Sequence, residues 1–154
     1  MSDSLKLSVI VPIFNEERFL ESCVASLLRQ DFPREEMELL LVDGASTDQT
    51  PVLLERLAKA HPDTIRVLQN PKRIQAAAMN LGAKAARGTY LIRVDAHADY
   101  PKDYFSRCVA LMEETGAQNV GCVWNTQGKT PKAQVIAMLL TLSLIHISEP
   151  TRPY

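Results

Sequence analysis

Most of the side chains that could do chemistry fall in four short polar clusters: Asn15-Glu16, residues 43–48 (Asp-Gly-Ala-Ser-Thr-Asp), residues 71–73 (Pro-Lys-Arg) and residues 95–99 (Asp-Ala-His-Ala-Asp). Asp95 and His97 stand two apart, and in extended backbone that spacing turns both side chains to the same side. A carboxylate and an imidazole so placed can serve a divalent cation; an imidazole ligand suits Mn²⁺ better than Mg²⁺, and Asp99 could take either role. A carboxylate held at a strand end, as Asp43 is, can accept a charge-assisted hydrogen bond from a ring N–H. Plainer roles stand beside each. Asp43-Gly44 can be a turn, with Ser46 to Asp48 capping the next helix. Phe14 can be core, Asn15 a helix cap, Arg73 a solvated loop cation, and His97 a structural histidine.

The elements that must position these clusters can be read from hydrophobic periodicity. Leu7 to Ile13 is a continuous apolar run rich in valine and isoleucine, which suits a strand buried on both faces. Phe19, Leu20, Cys23, Val24, Leu27 and Leu28 then recur at helical spacing between Glu16 and Gln30, with Asn15 as the expected N-cap. A second apolar run covers residues 38–42, and Thr50-Pro51 reads as the N-cap and first position of a second helix. Two further strand–helix pairs are expected at residues 65–68 and 75–86, and at 90–94 and 102–114. A possible fifth strand covers residues 119–124. Strands alternating with helices of this length predict an α/β fold, a mainly parallel sheet with helices on both faces. Ligands of such sheets sit beyond the carboxyl ends of the strands. Each of the four polar clusters comes directly after a strand, so they converge on one edge.

Composition narrows the function classes. The chain has 154 residues, enough for one compact domain, with 46% hydrophobic and 23% charged side chains, as in folded globular proteins. Its 17 basic and 18 acidic residues leave a formal charge of −1, which gives no field for gripping a nucleic acid; any phosphate must be held locally. Cys23, Cys108 and Cys122 are odd in number and widely spaced, which suggests a reduced, cytoplasmic setting. The apolar stretch from Val135 to Ile147 is about 13 residues long, short of the roughly 20 that a spanning helix needs. No membrane span is therefore expected in these residues. The last dozen, from Ser143 to Tyr154, look like a translated sequencing-adapter artefact, so the natural protein is expected to continue differently beyond about Leu142.

Four pieces, in order, carry a family resemblance: Ser8-Val-Ile-Val-Pro12-Ile-Phe14-Asn15-Glu16, Leu41-Val-Asp43-Gly44-Ala-Ser46-Thr47-Asp48, Asn80-Leu-Gly82 and Val94-Asp95-Ala-His97. Together they resemble the GT-A domain of inverting family 2 glycosyltransferases across roughly residues 7–125. The exopolysaccharide, succinoglycan-type subgroup is the nearest likeness, because Asp-Ala-His stands in for the commoner Asp-x-Asp and is followed by Tyr100-Pro101. The resemblance implies a Rossmann-like fold that transfers a sugar from a nucleotide-sugar donor, a UDP-sugar, to a saccharide or lipid-linked acceptor in polysaccharide biosynthesis. It also implies that Pro12, Phe14 and Glu16 line the base and ribose, that Asp43 reads the uracil and that Arg73 lies near the base or diphosphate. His97 would be the metal ligand, and Asp95 a ribose or metal-water contact. Gly82 is expected to serve helix packing, and Trp124 to be core.

The implied organisation is an extension at residues 1–6, the nucleotide-sugar-binding domain at 7–125, the start of an acceptor-side region at 126–142 and a non-native tail at 143–154. In the family a carboxylate beyond the metal motif deprotonates the acceptor. No counterpart is found before residue 154, so no catalytic residue is assigned and the 154-residue chain is expected to bind a donor without transferring its sugar. The full-length protein is placed in the cytoplasm, at the inner face of the membrane. A nicotinamide dehydrogenase would need a glycine-rich first turn, where this chain has Pro12-Ile13-Phe14-Asn15-Glu16. A sugar nucleotidyltransferase would need to seat a triphosphate where Glu16 and Glu17 repel one. An inactive nucleotide-binding fragment is the remaining alternative.

Overall fold

The computed structural model describes residues 5–98, 100–121 and Gln134. The elements in chain order are β1 (Leu7–Ile13), α1 (Leu20–Leu28), a 3-10 turn (Arg34–Glu36), β2 (Met37–Asp43), α2 (Thr50–Ala60), β3 (Ile65–Gln69), α3 (Gln75–Ala85), β4 (Tyr90–Arg93) and α4 (Tyr104–Thr115). All strand pairs are parallel, in the order β3-β2-β1-β4. The chain thus builds outward from β1 through β2 to β3, then returns to place β4 on the other side of β1.

That reversal decides which helix covers which face. Right-handed crossovers that step in opposite directions lie on opposite faces of the sheet. The core divides accordingly. Val9 and Val11 of β1 and Leu39 and Leu41 of β2 pack with Leu20, Val24 and Leu27 of α1, Leu54 of α2, and Phe105 and Val109 of α4. Ile10, Leu40 and Val42 point the other way, to Ala78, Met79 and Ala85 of α3. The central strands β1 and β2 are therefore apolar at nearly every position because both of their faces are covered. The small side chains of α3 let it lie close to the sheet. A Cβ on Gly82 would come within 2.5 Å of Ile10 Cγ2. Gly82→Ala is expected to lower stability by about 1 kcal/mol net, because overpacking of about 1–3 kcal/mol exceeds the ~1 kcal/mol that alanine gains over glycine in a helix. Urea unfolding checks this; an unchanged or higher midpoint would mean that Ile10 yields without cost.

One acid lies inside the apolar run of β2. Glu38 is fully buried on the α3 side, near the amino ends of the strands. Its Oε1 accepts Ser8 Oγ–H and the Arg87 backbone N–H, each at 2.8 Å. Its Oε2 receives Arg66 Nη1 at 2.8 Å and Arg87 Nη2 at 2.9 Å. Burial alone would push this carboxyl up, but the hydrogen bonds from Arg66, Ser8 and Arg87 outweigh it and hold it below the ordinary range. Arg66 Nη1 also reaches the Ala85 carbonyl, so the cluster ties β1, β2 and β3 to the end of α3.

Three local expectations are corrected. Asn15 does not cap α1. It adopts a left-handed conformation with φ 54°, a turn at residues 17–19 intervenes, and α1 begins at Leu20. Thr50 is the first residue of α2 and Gln49 holds the cap position, while the Thr50 hydroxyl accepts the Glu16 N–H. Residues 119–121 carry no strand, and Cys122 to Trp124 lie outside the described residues. The chain divides into a compact unit Met1–Gln118, which holds every element above, and a second unit Asn119–Tyr154. No helix among the described residues is long and apolar enough to cross a membrane.

Candidate functional site: a cleft at the β1–β4 switch point

In an open parallel sheet the strand order reverses at one point, where the connections on either side diverge and leave a crevice. Here that point lies between the carboxyl ends of β1 and β4. A cleft of about 180 Å³ opens there. Pro12, Ile13, Phe14 and Glu16 line it from the end of β1, and Asp95, Ala96 and His97 from the segment after β4. Asn70, Arg73, Ile74, Gln75 and Ala78 complete it from the β3–α3 loop and the first turns of α3. Six residues singled out from the sequence are thus gathered from three separate segments: Pro12, Phe14, Glu16, Arg73, Asp95 and His97.

Asp43 is not among the lining residues. Register pairs it with Ile13 on one side and Gln69 on the other, and its carbonyl accepts the Asn70 N–H at 2.7 Å, so it sits between two lining segments. Its side chain is 2% exposed, with Oδ1 accepting Ser46 Oγ–H at 2.6 Å and Ser46 N–H at 3.1 Å. Asp99 and Trp124, along with Val135 to Ile147, lie outside the described residues.

The loops are locked by side chains. Asn15 Oδ1 accepts the Thr47 N–H at 2.8 Å, and the Asn15 N–H donates to Ser46 Oγ at 2.9 Å. The Glu16 N–H donates to Thr50 Oγ1 at 2.9 Å, and Glu17 exchanges hydrogen bonds with Asp48 and Gln49. Desolvation would raise the Asp48 carboxyl, but donors from the Thr50 side chain and backbone and from Glu17 hold it below its ordinary range. Asn15, Ala45 and Arg73 all take left-handed φ values, between 54° and 58°, and all sit in these loops, where strain is often held at functional sites.

The polar groups of the cleft are partly committed to each other. Asp95 Oδ1 accepts Arg93 Nη2 at 3.0 Å and Nε at 3.2 Å, while the Asp95 N–H donates to the Tyr100 hydroxyl. His97 Nδ1 lies 3.2 Å from Glu16 Oε1; the histidine side chain is 65% exposed and the glutamate 19%. Among the described residues no three His, Cys, Asp or Glu side chains come together as a metal-ready group. The donor set, an imidazole backed by a carboxylate on its other ring nitrogen with an aspartate nearby, fits a divalent ion shared with phosphate oxygens rather than one enclosed by protein alone.

Sequence reasoning missed Asn70, Gln75 and Arg93. Asn70 is buried and shapes its loop by donating Nδ2–H to the Ile74 carbonyl and accepting the Lys72 N–H. Its one signal is its place just before Pro71, a turn-forming pair. Arg93 gives none, since a basic residue in an exposed strand position is ordinarily solvated.

The order β3-β2-β1-β4, with its cleft at the switch point, defines a Rossmann-like α/β domain of the GT-A type. The chain belongs to glycosyl transferase family 2, whose profile matches residues 8–145. It is 32% identical over 144 residues to a Methanococcus voltae glucuronosyltransferase that acts on a dolichyl N-acetylglucosaminyl phosphate, covering 90% of this chain and 45% of that protein. It is 38% identical over 122 residues to the succinoglycan biosynthesis protein ExoA of Rhizobium meliloti, covering 78% and 36%. Among solved structures it resembles the mannosyltransferase PcManGT of Pyrobaculum calidifontis in complex with GDP-mannose and Mn²⁺. That match has a TM-score of 0.72 and 31% identity, over 86% of this chain and 38% of that one. Staphylococcus aureus TarS 1–349 with UDP-GlcNAc matches with a TM-score of 0.61 and 26% identity, over 79% and 38%. The chain spans less than half the length of each of these relatives.

Proposed function

We propose that this domain binds the nucleotide-sugar donor of a polysaccharide-forming glycosyltransferase, with a UDP-sugar as donor and a saccharide or lipid-linked molecule as acceptor. The observation that carries this reading is the convergence of Pro12, Phe14, Glu16, Arg73, Asp95 and His97 on one cleft at the switch point. Phe14 is half exposed in that cleft and offers a ring face to a base. Asp43 reads the base N–H from between the two lining segments, and Arg73 supplies positive charge near the base or diphosphate. Asp95 faces the ribose or a metal-bound water, with Arg93 holding its carboxylate in place. His97 holds a divalent ion, Mn²⁺ in preference to Mg²⁺, with Glu16 orienting the imidazole through Nδ1. A divalent ion bound there neutralises the charge that gathers on a departing diphosphate. The organisation expected from the sequence, with donor binding in residues 7–125, and the cytoplasmic setting belong to the same reading.

Calorimetry on the 154-residue chain tests it. Uridine diphosphate is expected to bind, and Mn²⁺ to tighten it. His97→Ala should remove that gain, about 10- to 100-fold, and leave uridine binding unchanged. Failure of the parent chain to bind uridine diphosphate would sink the donor reading, and indifference to Mn²⁺ would sink the metal assignment.

A further inference from the structure

The ladder between β1 and β4 reaches Val94, whose N–H donates to the Ile10 carbonyl at 3.0 Å. Successive amides of an extended chain point to opposite edges, and β4 is the end strand of the four-stranded sheet formed by the described residues. The next amide, that of Asp95, therefore has no strand among them to meet. It donates to the Tyr100 hydroxyl at 2.9 Å. The Asp95 carbonyl takes the Ala98 N–H at 3.2 Å, closing a turn that carries Ala96 and His97. A side chain five residues on thus stands in for a neighbouring strand and fixes where this turn leaves the sheet.

Tyr100 is itself held from outside the cleft, of which it lines no part. Its ring centroid lies 5.0 Å from that of Tyr104, which in turn stands 6.0 Å from the fully buried ring of Phe105. The carbonyl of the next residue, Pro101, accepts Gln30 Nε2–H at 2.7 Å, and Gln30 Oε1 accepts the Phe105 N–H at 3.2 Å. Gln30 is buried, where a lost hydrogen-bond partner is costly. The Asp31 N–H adds a bond to the Lys102 carbonyl at 2.9 Å. The segment after α1 and the start of α4 are in this way stitched into a mount for Tyr100.

The groups that face the cleft depend on the turn that Tyr100 fixes. The Asp95 carboxylate receives Arg93, and the His97 side chain, 65% exposed, has Glu16 Oε1 at 3.2 Å. An imidazole that exposed takes its place mostly from the backbone that carries it. We propose that Tyr100 is a positioning residue of the donor site: its hydroxyl fixes the Asp95 backbone and, through the turn at residues 95–98, the places of Asp95 and His97. This rests on the reading that these two residues serve a divalent ion in the cleft, and it adds the group that aligns them.

Tyr100→Phe tests it, because the ring and its packing on Tyr104 are kept and only the acceptor is lost. Hydrogen exchange of the Asp95 amide is followed without ligand, together with the unfolding midpoint and the binding of uridine and of uridine diphosphate with and without Mn²⁺. In the parent the Asp95 amide is expected to be protected; in the variant it should exchange about tenfold faster. The Mn²⁺ gain in uridine diphosphate affinity should fall about tenfold, the lower end of what losing a supporting contact costs a metal site, while uridine binding and the midpoint stay close to the parent's. A role in stability alone would instead lower the midpoint and leave the Mn²⁺ gain intact, and that result would overturn the inference. If the parent shows no Mn²⁺ gain, the metal reading falls and takes this inference with it. If the parent shows the gain and Tyr100→Phe keeps it, the metal reading stands and the positioning role is overturned. An Asp95 amide that exchanges in the parent at the rate of an open loop would overturn it whatever the variant does.

Discussion

Glu38→Ala is expected to destabilise the domain by about 3 kcal/mol. The substitution removes the acceptor of the fully buried Ser8 hydroxyl and leaves the Arg87 amide only its longer bond to Ser8 Oγ, at 3.2 Å. Breaking a buried ion pair costs about 3–5 kcal/mol. The lower end applies because Arg66 and Arg87 are part-exposed and rehydrate when the carboxylate is lost. The same group gives an acid dependence with a defined sign. Its carboxyl lies below the ordinary range in the folded state. The stabilisation is therefore fully present above the unfolded glutamate pKa and is lost as pH falls through the lower folded value. Chemical unfolding of parent and Glu38→Gln between neutral pH and about pH 3 checks it, a window that spans the ordinary glutamate pKa. The parent should lose stability on the acid side more steeply than the variant; parallel curves would show that Glu38 is not the group responsible.

Asp43→Ala is expected to weaken uridine diphosphate binding by about 1.5–3 kcal/mol, roughly 10- to 150-fold, the scale of a hydrogen bond to a charged group. The alanine also removes the acceptor of Ser46, so loop disorder contributes to the loss. Asp43→Asn separates the two effects. Its carbonyl oxygen can still accept from Ser46, while an amide N–H₂ replaces Oδ2 and sets donor against donor at the base. The asparagine variant should keep the parent's unfolding midpoint and still lose most of the affinity. A variant that binds as well as the parent would remove Asp43 from the base-reading role and leave Phe14 and Arg73 as the cleft's contacts to a base.

Much of the architecture was legible in the chain because it rests on local patterns. Continuous apolar runs at β1 and β2 signalled strands covered on both faces, and the 3.6-residue spacing after them signalled helices, each within a few residues of its observed bounds. Alternation of the two implied a parallel sheet, and a parallel sheet implied that polar clusters after each strand share an edge. Local patterning was therefore enough to bring three of the four clusters to the cleft, while residues 43–48, expected to join them, do not line it.

What those segments do to one another was set by contacts far apart in the chain. Asn15 looked like a cap because it precedes a helical pattern, yet its amide donates to Ser46, 31 residues away. Glu16 meets His97 across 81 residues, and Arg87 reaches Glu38 across 49. Asp43 stood out as a carboxylate at a strand end, but its buried side chain is turned to Ser46, whose hydroxyl and amide both donate to Oδ1. Glu38 carried no signal of its own, since an acid at the start of an apolar run reads as an exposed edge. These pairings depend on β4 lying beside β1 and on α3 crossing the opposite face. Periodicity records the burial of each element alone; hydrogen-bond partners are chosen by strand order and by the face each helix covers, and these exist only once the whole sheet is formed.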